Sequence, residues 1–391
     1  KAASPDEDVG HRPLFERSGV VEVSIVEVLF QPFQLGDLKL RNRLVMAAMT
    51  RHHSPDNVPG DDVRDYYARR AKSIGLIVTE GTCINHPAAN AYQKVPFFYG
   101  EESLSGWKRV VDAVHANGGR IVPQLWHTGS ARHPGTLPDP SVPAYTPSGL
   151  TQSLEPLCHE MTEADIDDVI EAFAAAAADA QRLNFDGVEI HAAHGYLIDE
   201  FFWEKSNRRT DRYGGSIANR ARFAAEIVAA VRERVGSAYP IILRWSQWKQ
   251  QDYQARLVTD SASLEQFLDP LVAAGVDIFD CSTRRYHQPE FPGSDLNLAG
   301  WVKRISGKPT ITVGNVGLDS DFVSGNDTRV TFQNAQTGSL DNLLQRLTAE
   351  EFDLVAVGRA LLANPDWAEI VRAGDLAALK PFSKEMLRQL Y

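Results

Sequence analysis

Gly187-Val-Glu-Ile-His-Ala-Ala-His-Gly-Tyr196 is the stretch on which the fold turns. A short run, Gly187–Ile190, leads directly into two imidazoles and a phenol: His191, His194 and Tyr196. Short, nearly continuous apolar runs of this kind are what parallel strands covered on both faces require. The same rhythm repeats outward in both directions. Leu44–Ala47, Leu76–Thr79 and Arg120–Gln124 precede it; Ile241–Arg244, Ile278–Cys281, Thr310–Val313 and Leu354–Val357 follow. Amphipathic helices are predicted between the runs. Thr162 and Asp165 form a capping-box pattern ahead of Ile166, Val169, Ile170, Phe173 and Ala177, which recur at helical spacing. Phe223, Ile227, Val228 and Val231 do the same after Asn219, and Leu264, Phe267, Leu268 and Leu271 make a third stripe. Eight strands alternating with helices allow a closed barrel or an open doubly wound sheet. No G-x-G-x-x-G follows the first strand, which counts against the open dinucleotide-binding sheet. The expected class is α/β: a (β/α)8 TIM barrel, a single domain with long capping loops.

The composition agrees with a soluble globular chain. It is 43% hydrophobic and 23% charged over 391 residues, which excludes a disordered, collagen-like or coiled-coil protein. With 40 basic and 51 acidic residues the formal net charge is −11, which opposes non-specific binding to nucleic acid. The three cysteines, Cys83, Cys158 and Cys281, lack zinc or iron–sulfur spacing and suit a reducing compartment. No apolar run reaches the ~18 residues of a membrane span. Residues 1–20 lack the apolar core of a secretion signal. The expectation is a cytoplasmic protein with no membrane and no nucleic-acid partner. Residues 1–27 show no core pattern and read as an N-terminal arm or a partly disordered segment; 28–391 read as the barrel. The Pro/Ser-rich residues 128–160 read as a lid or binding loop, and 324–341 as a second surface excursion.

A barrel predicts where its chemistry must be: at the C-terminal ends of the strands. The first is followed by Ala47-Ala48-Met49-Thr50-Arg51, where small residues admit a flat ligand and the Thr50 hydroxyl is either a carbonyl partner or a turn residue. The second is followed by Glu80-Gly81-Thr82. The third ends in Gln124-Leu125-Trp126-His127, and Gln124 suits an amide-like heterocycle edge or is simply a paired polar group. His191, His194 and Tyr196 after the fourth have three readings. Two N–H donors grip an oxyanion while a phenol supplies a proton, as reduction of an activated alkene needs. They hold a metal, although a third ligand is missing. Or they are unrelated loop residues. Arg244, if buried, needs an anionic partner, either ligand or structural. Gly314-Asn315-Val316-Gly317 and Gly358-Arg359 follow the seventh and eighth strands, where barrels often bind phosphate; ordinary turns are the alternative. Together these describe a phosphate-tailed flat heterocycle beside a second substrate. FMN fits that description, and no metal is expected.

At this point a family resemblance enters. Leu29-Phe-Gln-Pro-Phe33, Asn42-Arg-Leu-Val-Met46, Met49-Thr-Arg51, Gln124-Leu-Trp126, Gly187–Tyr196, Asn207-Arg-Arg-Thr-Asp-Arg-Tyr-Gly-Gly-Ser216, Asn219-Arg-Ala-Arg-Phe223, Val313-Gly-Asn-Val-Gly317 and Val357-Gly-Arg359 resemble the old yellow enzyme family of FMN-dependent ene-reductases. The resemblance implies non-covalent FMN at the barrel mouth. It implies a ping-pong cycle in which NAD(P)H reduces the flavin and leaves. Flavin N5 then passes hydride to the β-carbon of an enone or nitroalkene. By position, His191 and His194 are implied to hold the activating oxygen and Tyr196 to protonate the α-carbon. Thr50 is implied to contact flavin O4. Ala48, Met49, Gly81, Gln124 and Arg244 would line the flavin ring, and Gly314, Asn315, Gly358 and Arg359 the phosphate. Trp126 and Tyr286 would shape the substrate pocket.

The chain departs from the family pattern in places. Ala48 stands where Pro is common, His194 where many members have Asn, and Thr50 where another subgroup has Cys. Cys281-Ser-Thr-Arg-Arg-Tyr286 resembles a bacterial branch. The excursion at 324–341 precedes the phosphate-side strand. A metal-dependent barrel hydrolase and a non-catalytic flavin-binding protein are the competing classes. The physiological substrate, the choice of NADH or NADPH, and monomer or homodimer stay open.

Overall fold

In the computed structural model, which describes residues 25–322 and 333–391, the apolar runs pair into one closed ring. Its strands are β1 (Leu44–Met46), β2 (Leu76–Cys83), β3 (Arg120–Trp126), β4 (Val188–His194), β5 (Ile241–Lys249), β6 (Ile278–Ser282), β7 (Thr310–Val313) and β8 (Leu354–Val357). Each pairs in parallel with the next, and β8 closes on β1 with Val357 opposite Met46. The barrel expectation holds. Residues 1–24 of the expected arm and 324–332 of the expected excursion lie outside the described residues; Ile25–Phe30 forms a short 3-10 helix.

The sequence placed several strand ends too early. β2, β3, β4 and β5 run on through Cys83, Trp126, His194 and Lys249. The reason is pairing: Cys83 lies opposite Trp126, and His194 opposite Lys249. Polar residues that read as loop are held in extended backbone by the neighbouring strand. Register shifts between Val78 and Gly81, and between Ala192 and His194, mark where the ring's rim bends.

Helices cover the outside: α1 (Asp61–Ala71), α2 (Glu101–Ala116), α3 (Glu163–Arg182), α4 (Leu197–Phe202), α5 (Ile217–Val235), α6 (Ser261–Ala274), α7 (Leu298–Ser306), α8 (Asp341–Thr348), α9 (Arg359–Ala363) and α10 (Trp367–Ala373). The Thr162–Asp165 capping box forms as expected, with the Asp165 backbone N–H donating to Thr162 Oγ1 at 3.2 Å and the Thr162 N–H to Asp165 at 2.8 Å. α5 begins before Asn219, because Ser216 caps it by accepting from the Asn219 N–H. No helix among the described residues is long and apolar enough to cross a membrane.

Two cores result. The outer one lies between strands and helices. The inner one fills the lower barrel with Val45, Val78, Val122, Ile242, Ile278 and Ile311, and an antiparallel hairpin, Phe33–Leu35 with Leu38–Leu40, plugs it from below. Inward positions recur every second residue along a strand. On β5 they climb from Ile242 to Arg244 to Ser246, and on β6 from Ile278 to Asp280 to Ser282. An apolar floor therefore gives way to an ionic layer and then to a polar rim.

The expected lid, 128–160, is tied down rather than loose. The Arg132 guanidinium donates to the backbone carbonyls of Asn90, Thr136, Leu137, Asp139 and Val142. Short parallel pairing of Tyr145–Thr146 with His159–Glu160 closes the segment. Leu40 tests the plug, since it is buried at 2% exposure in the inner core. Leu40→Ala is expected to lower stability by about 2–5 kcal/mol in chemical denaturation. A loss under about 1 kcal/mol would show that the hairpin does not pack as the floor.

Candidate active site

The ionic layer spans four neighbouring strands. Gln124 Nε2 on β3 donates to Glu189 Oε1 on β4 at 2.8 Å. Arg244 on β5 lies 3.3 Å from Asp280 on β6, so the anionic partner that a buried Arg244 needs is supplied by the protein. Above this layer, Trp126 stacks on His191 with ring centroids 5.8 Å apart, and His191 meets His194 edge-on at 5.1 Å. Tyr196 stands edge-on to both Trp126 and His191. The structure thus brings the imidazole pair, the phenol and Trp126 into one cluster at the rim.

Burial pushes both imidazoles well below the ordinary histidine range, and the Arg244 charge adds to it. They are neutral at physiological pH and act as hydrogen-bond donors through one nitrogen each. His191 Nδ1 faces the Ala193 N–H at 3.4 Å, so its own proton sits on Nε2. His194 Nε2 meets Ser282 Oγ at 2.7 Å, and its ring stacks on Trp248 at 4.4 Å. Burial, with the neighbouring Tyr92 phenol, drives Tyr196 well above the usual phenol range and keeps it protonated. Its oxygen accepts from Gln250 Nε2 at 2.8 Å and lies 3.2 Å from the Tyr92 hydroxyl. Tyr92, Gln250, Trp248 and Ser282 were not singled out in the sequence. They come from loops and strands remote in the chain, and only the period-two climb of β6 points to Ser282.

The turn that carries these groups is strained and propped from behind. His194 and Gly195 both have positive φ, 67° and 80°. The Gly195 N–H donates to Asp199 Oδ2 at 2.7 Å, and Lys249 Nζ holds Asp199 Oδ1 at 2.8 Å, both side chains fully sealed. Next to it, Glu200 accepts from the Ser130 N–H at 2.9 Å and from the Ser130 hydroxyl, anchoring the start of the 128–160 segment. Gly129 is required there: at φ 56°, a Cβ would sit 2.4 Å from Glu200 Oε2.

On the opposite side, Arg359 Nη2 donates to Asn315 Oδ1 at 2.5 Å and the Ser320 carbonyl at 2.7 Å, while its buried Nη1 has no partner among the described residues. Asn315 has φ 55°, and a Cβ on Gly314 would lie 2.6 Å from the Thr283 carbonyl. A Cβ on Gly358 would lie in ordinary contact with Met49 and Ala47, at 3.5 and 3.8 Å. Ala48 and Thr50 are half-buried beside them. Gly81 lies against the Trp126 indole. A Cβ there would lie 2.3 Å from the Trp126 ring, so the glycine makes room for that indole. Tyr286 is not in the ring cluster; its ring contact is with His287, and its carbonyl accepts from Asn297 Nδ2 at 2.9 Å.

The profile of the NADH:flavin oxidoreductase / NADH oxidase family matches residues 28–376. The chain belongs to this family, the old yellow enzymes. Flavin oxidoreductase hxnT of Emericella nidulans is 32% identical over 373 residues, covering 90% of this chain and 92% of that protein. 12-Oxophytodienoate reductase 7 of Oryza sativa subsp. japonica is 39% identical over 222 residues, 54% of this chain and 56% of that protein. Morphinone reductase superposes with a TM-score of 0.75 at 33% identity, covering 92% of both chains. This old yellow enzyme is an NAD(P)H-dependent oxidoreductase with FMN as cofactor. Its residues fit that group: among the described residues, buried N–H groups of Arg244 and Arg359 lack aligned acceptors, and the small residues Ala47, Ala48 and Gly358 follow β1 and β8 at the rim.

Glu200 gives a pH test of the scaffold. Burial raises its carboxyl to about 8 from an ordinary 4.5. The folded state therefore keeps a proton that the unfolded chain releases, and stability falls as pH rises from about 4.5 to about 8. Glu200→Gln is expected to flatten that part of the thermal-midpoint profile. An unchanged slope would show that Glu200 is ionised in the folded protein.

Proposed function

We propose that this protein is an ene-reductase that uses its FMN to carry hydride from NAD(P)H to the β-carbon of an enone or nitroalkene. The reading rests on one observation: two neutral imidazoles and a protonated phenol meet at the rim of a barrel that fits a flavin. It is supported by relatives named for reduction of 12-oxophytodienoate and morphinone.

Bound FMN supplies two-electron chemistry, accepting a hydride from one reactant and giving it to another. The chain supplies everything else. His191 and His194 donate hydrogen bonds to the carbonyl or nitro oxygen, where negative charge develops as the β-carbon accepts hydride. Being neutral, they polarise that oxygen without delivering a full proton to it. Tyr196 hands its proton to the α-carbon. The Gln250 N–H at the phenol oxygen lowers the cost of the phenolate left behind. Trp126, wedged over Gly81, fixes the wall against which His191 and Tyr196 are set. Arg244 and Gln124 line the flavin ring with Ala48, Met49 and Thr50, and Arg359 with Asn315, Gly314 and Gly358 holds the phosphate. Arg359 is suited to this because one arm of its fork is already fixed and the other has no partner among the described residues.

The purified protein is expected to be yellow, to be bleached by NAD(P)H and to be recoloured by cyclohexenone. Tyr196→Phe is expected to slow the alkene half-reaction by about 10²–10⁴-fold and leave flavin reduction largely intact in stopped-flow traces. Equal loss in both halves would remove Tyr196 from the proton-donor role. Arg359→Ala is expected to weaken FMN binding by roughly 10–100-fold, the worth of one charge-assisted contact. Unchanged flavin retention through dialysis would place the phosphate elsewhere.

A further inference from the structure

Three ionisable side chains meet in the ionic layer, and the reaction outlined above uses only one of them. Glu189 and Asp280 are fully buried and Arg244 is 6% exposed. β5 and β6 place Arg244 and Asp280 directly opposite each other, and β4 places His191 opposite Arg244 on the other side. The Glu189 carboxyl lies within hydrogen-bonding reach of Asp280 and is fixed from behind by Gln124. Burial raises both carboxyls; Arg244 and the Glu189 hydrogen bond restrain the rise at Asp280, while the Asp280 charge adds to it at Glu189, so of the two Glu189 takes the proton. The layer thus holds one guanidinium, one carboxylate and one neutral carboxylic acid, with net charge zero.

The contact between the two charges is incomplete. Arg244 Nη1 is 3.3 Å from Asp280 Oδ2 but poorly aligned, and neither Nη1 nor Nε of Arg244 has an aligned acceptor among the described residues. A structural ion pair this deep is normally saturated with hydrogen bonds. Arg244 instead keeps donors uncommitted while standing beside a carboxylate that cancels much of its field. Two-electron reduction adds negative charge to a flavin, and a bare buried cation beside the ring would favour the reduced form strongly.

We propose that Asp280 is the counter-ion that sets the charge Arg244 presents to the flavin, and that it holds the cofactor's reduction potential below the value an uncompensated guanidinium would give. The proposal rests on the placement of the flavin ring against Arg244 given above. Glu189 is a positioning residue: through its proton it fixes Asp280 without adding charge. A lower potential makes the reduced cofactor a stronger hydride donor toward a weakly activated alkene.

The test is the midpoint potential of the flavin-loaded enzyme, measured by dye-equilibrated reduction of the wild type, Asp280→Asn and Glu189→Gln. Asp280→Asn is expected to shift the potential positive by an amount equivalent to at least a tenfold gain in preference for reduced over oxidised flavin, about 30 mV for a two-electron couple. Glu189→Gln removes no charge and is expected to stay close to the wild type. Should Asp280→Asn fail to fold, Asp280→Ser is expected to shift the potential in the same direction. An unchanged or more negative potential in either Asp280 variant, or an equal shift in Glu189→Gln, overturns the counter-ion role while leaving the flavin site intact. A wild-type protein that takes up no FMN overturns the flavin placement and this proposal with it.

Discussion

The closure of eight parallel strands into a ring imposes one rule on everything inside it. Side chains alternate in and out, so every second residue of each strand faces the same narrow interior. Position along the strand then becomes height in the barrel. On β4 the inward sequence is Glu189 then His191; on β5 it is Ile242, Arg244, Ser246; on β6, Ile278, Asp280, Ser282. Those neighbouring strands stack an apolar floor, an ionic layer and a polar rim without any loop having to fold correctly first. Only the last residues, from His194 onward, depend on a turn.

That turn is held by buried polar groups rather than by regular structure. Lys249 and Asp199 form a sealed pair whose carboxylate grips the Gly195 N–H, and Glu200 grips the 128–160 segment through Ser130. Removing one partner of such a pair would strand a charge away from water, a penalty on the order of 3–5 kcal/mol. The arrangement keeps His194 at a positive φ that an unsupported histidine would leave.

Much of this could be read in the chain itself. The apolar runs announced the ring, and the polar residues at their ends announced the rim. What escaped notice lay inside the runs. Glu189 sits within Gly187–Ile190 and Asp280 within Ile278–Cys281, and both passed as apolar strands because each carboxylate is outnumbered by its neighbours. Whether such a residue points inward depends on register, which a single strand does not declare. Tyr92 and Gln250 escaped because nothing in their local pattern distinguishes them from ordinary loop residues; only the folded rim carries them to Tyr196. Gly81 reads in the chain as a place of close approach, and in the fold one flat group that approaches it is the Trp126 indole.

The hairpin from Phe33 to Leu40 has a consequence for traffic. It stoppers one end of the barrel with Leu38 and Leu40, beneath a floor of packed aliphatic side chains. A molecule bound for the ionic layer must come from the other end. Two reactants that both need the chemistry above that floor would share one doorway, so each would obstruct the other in proportion to its concentration.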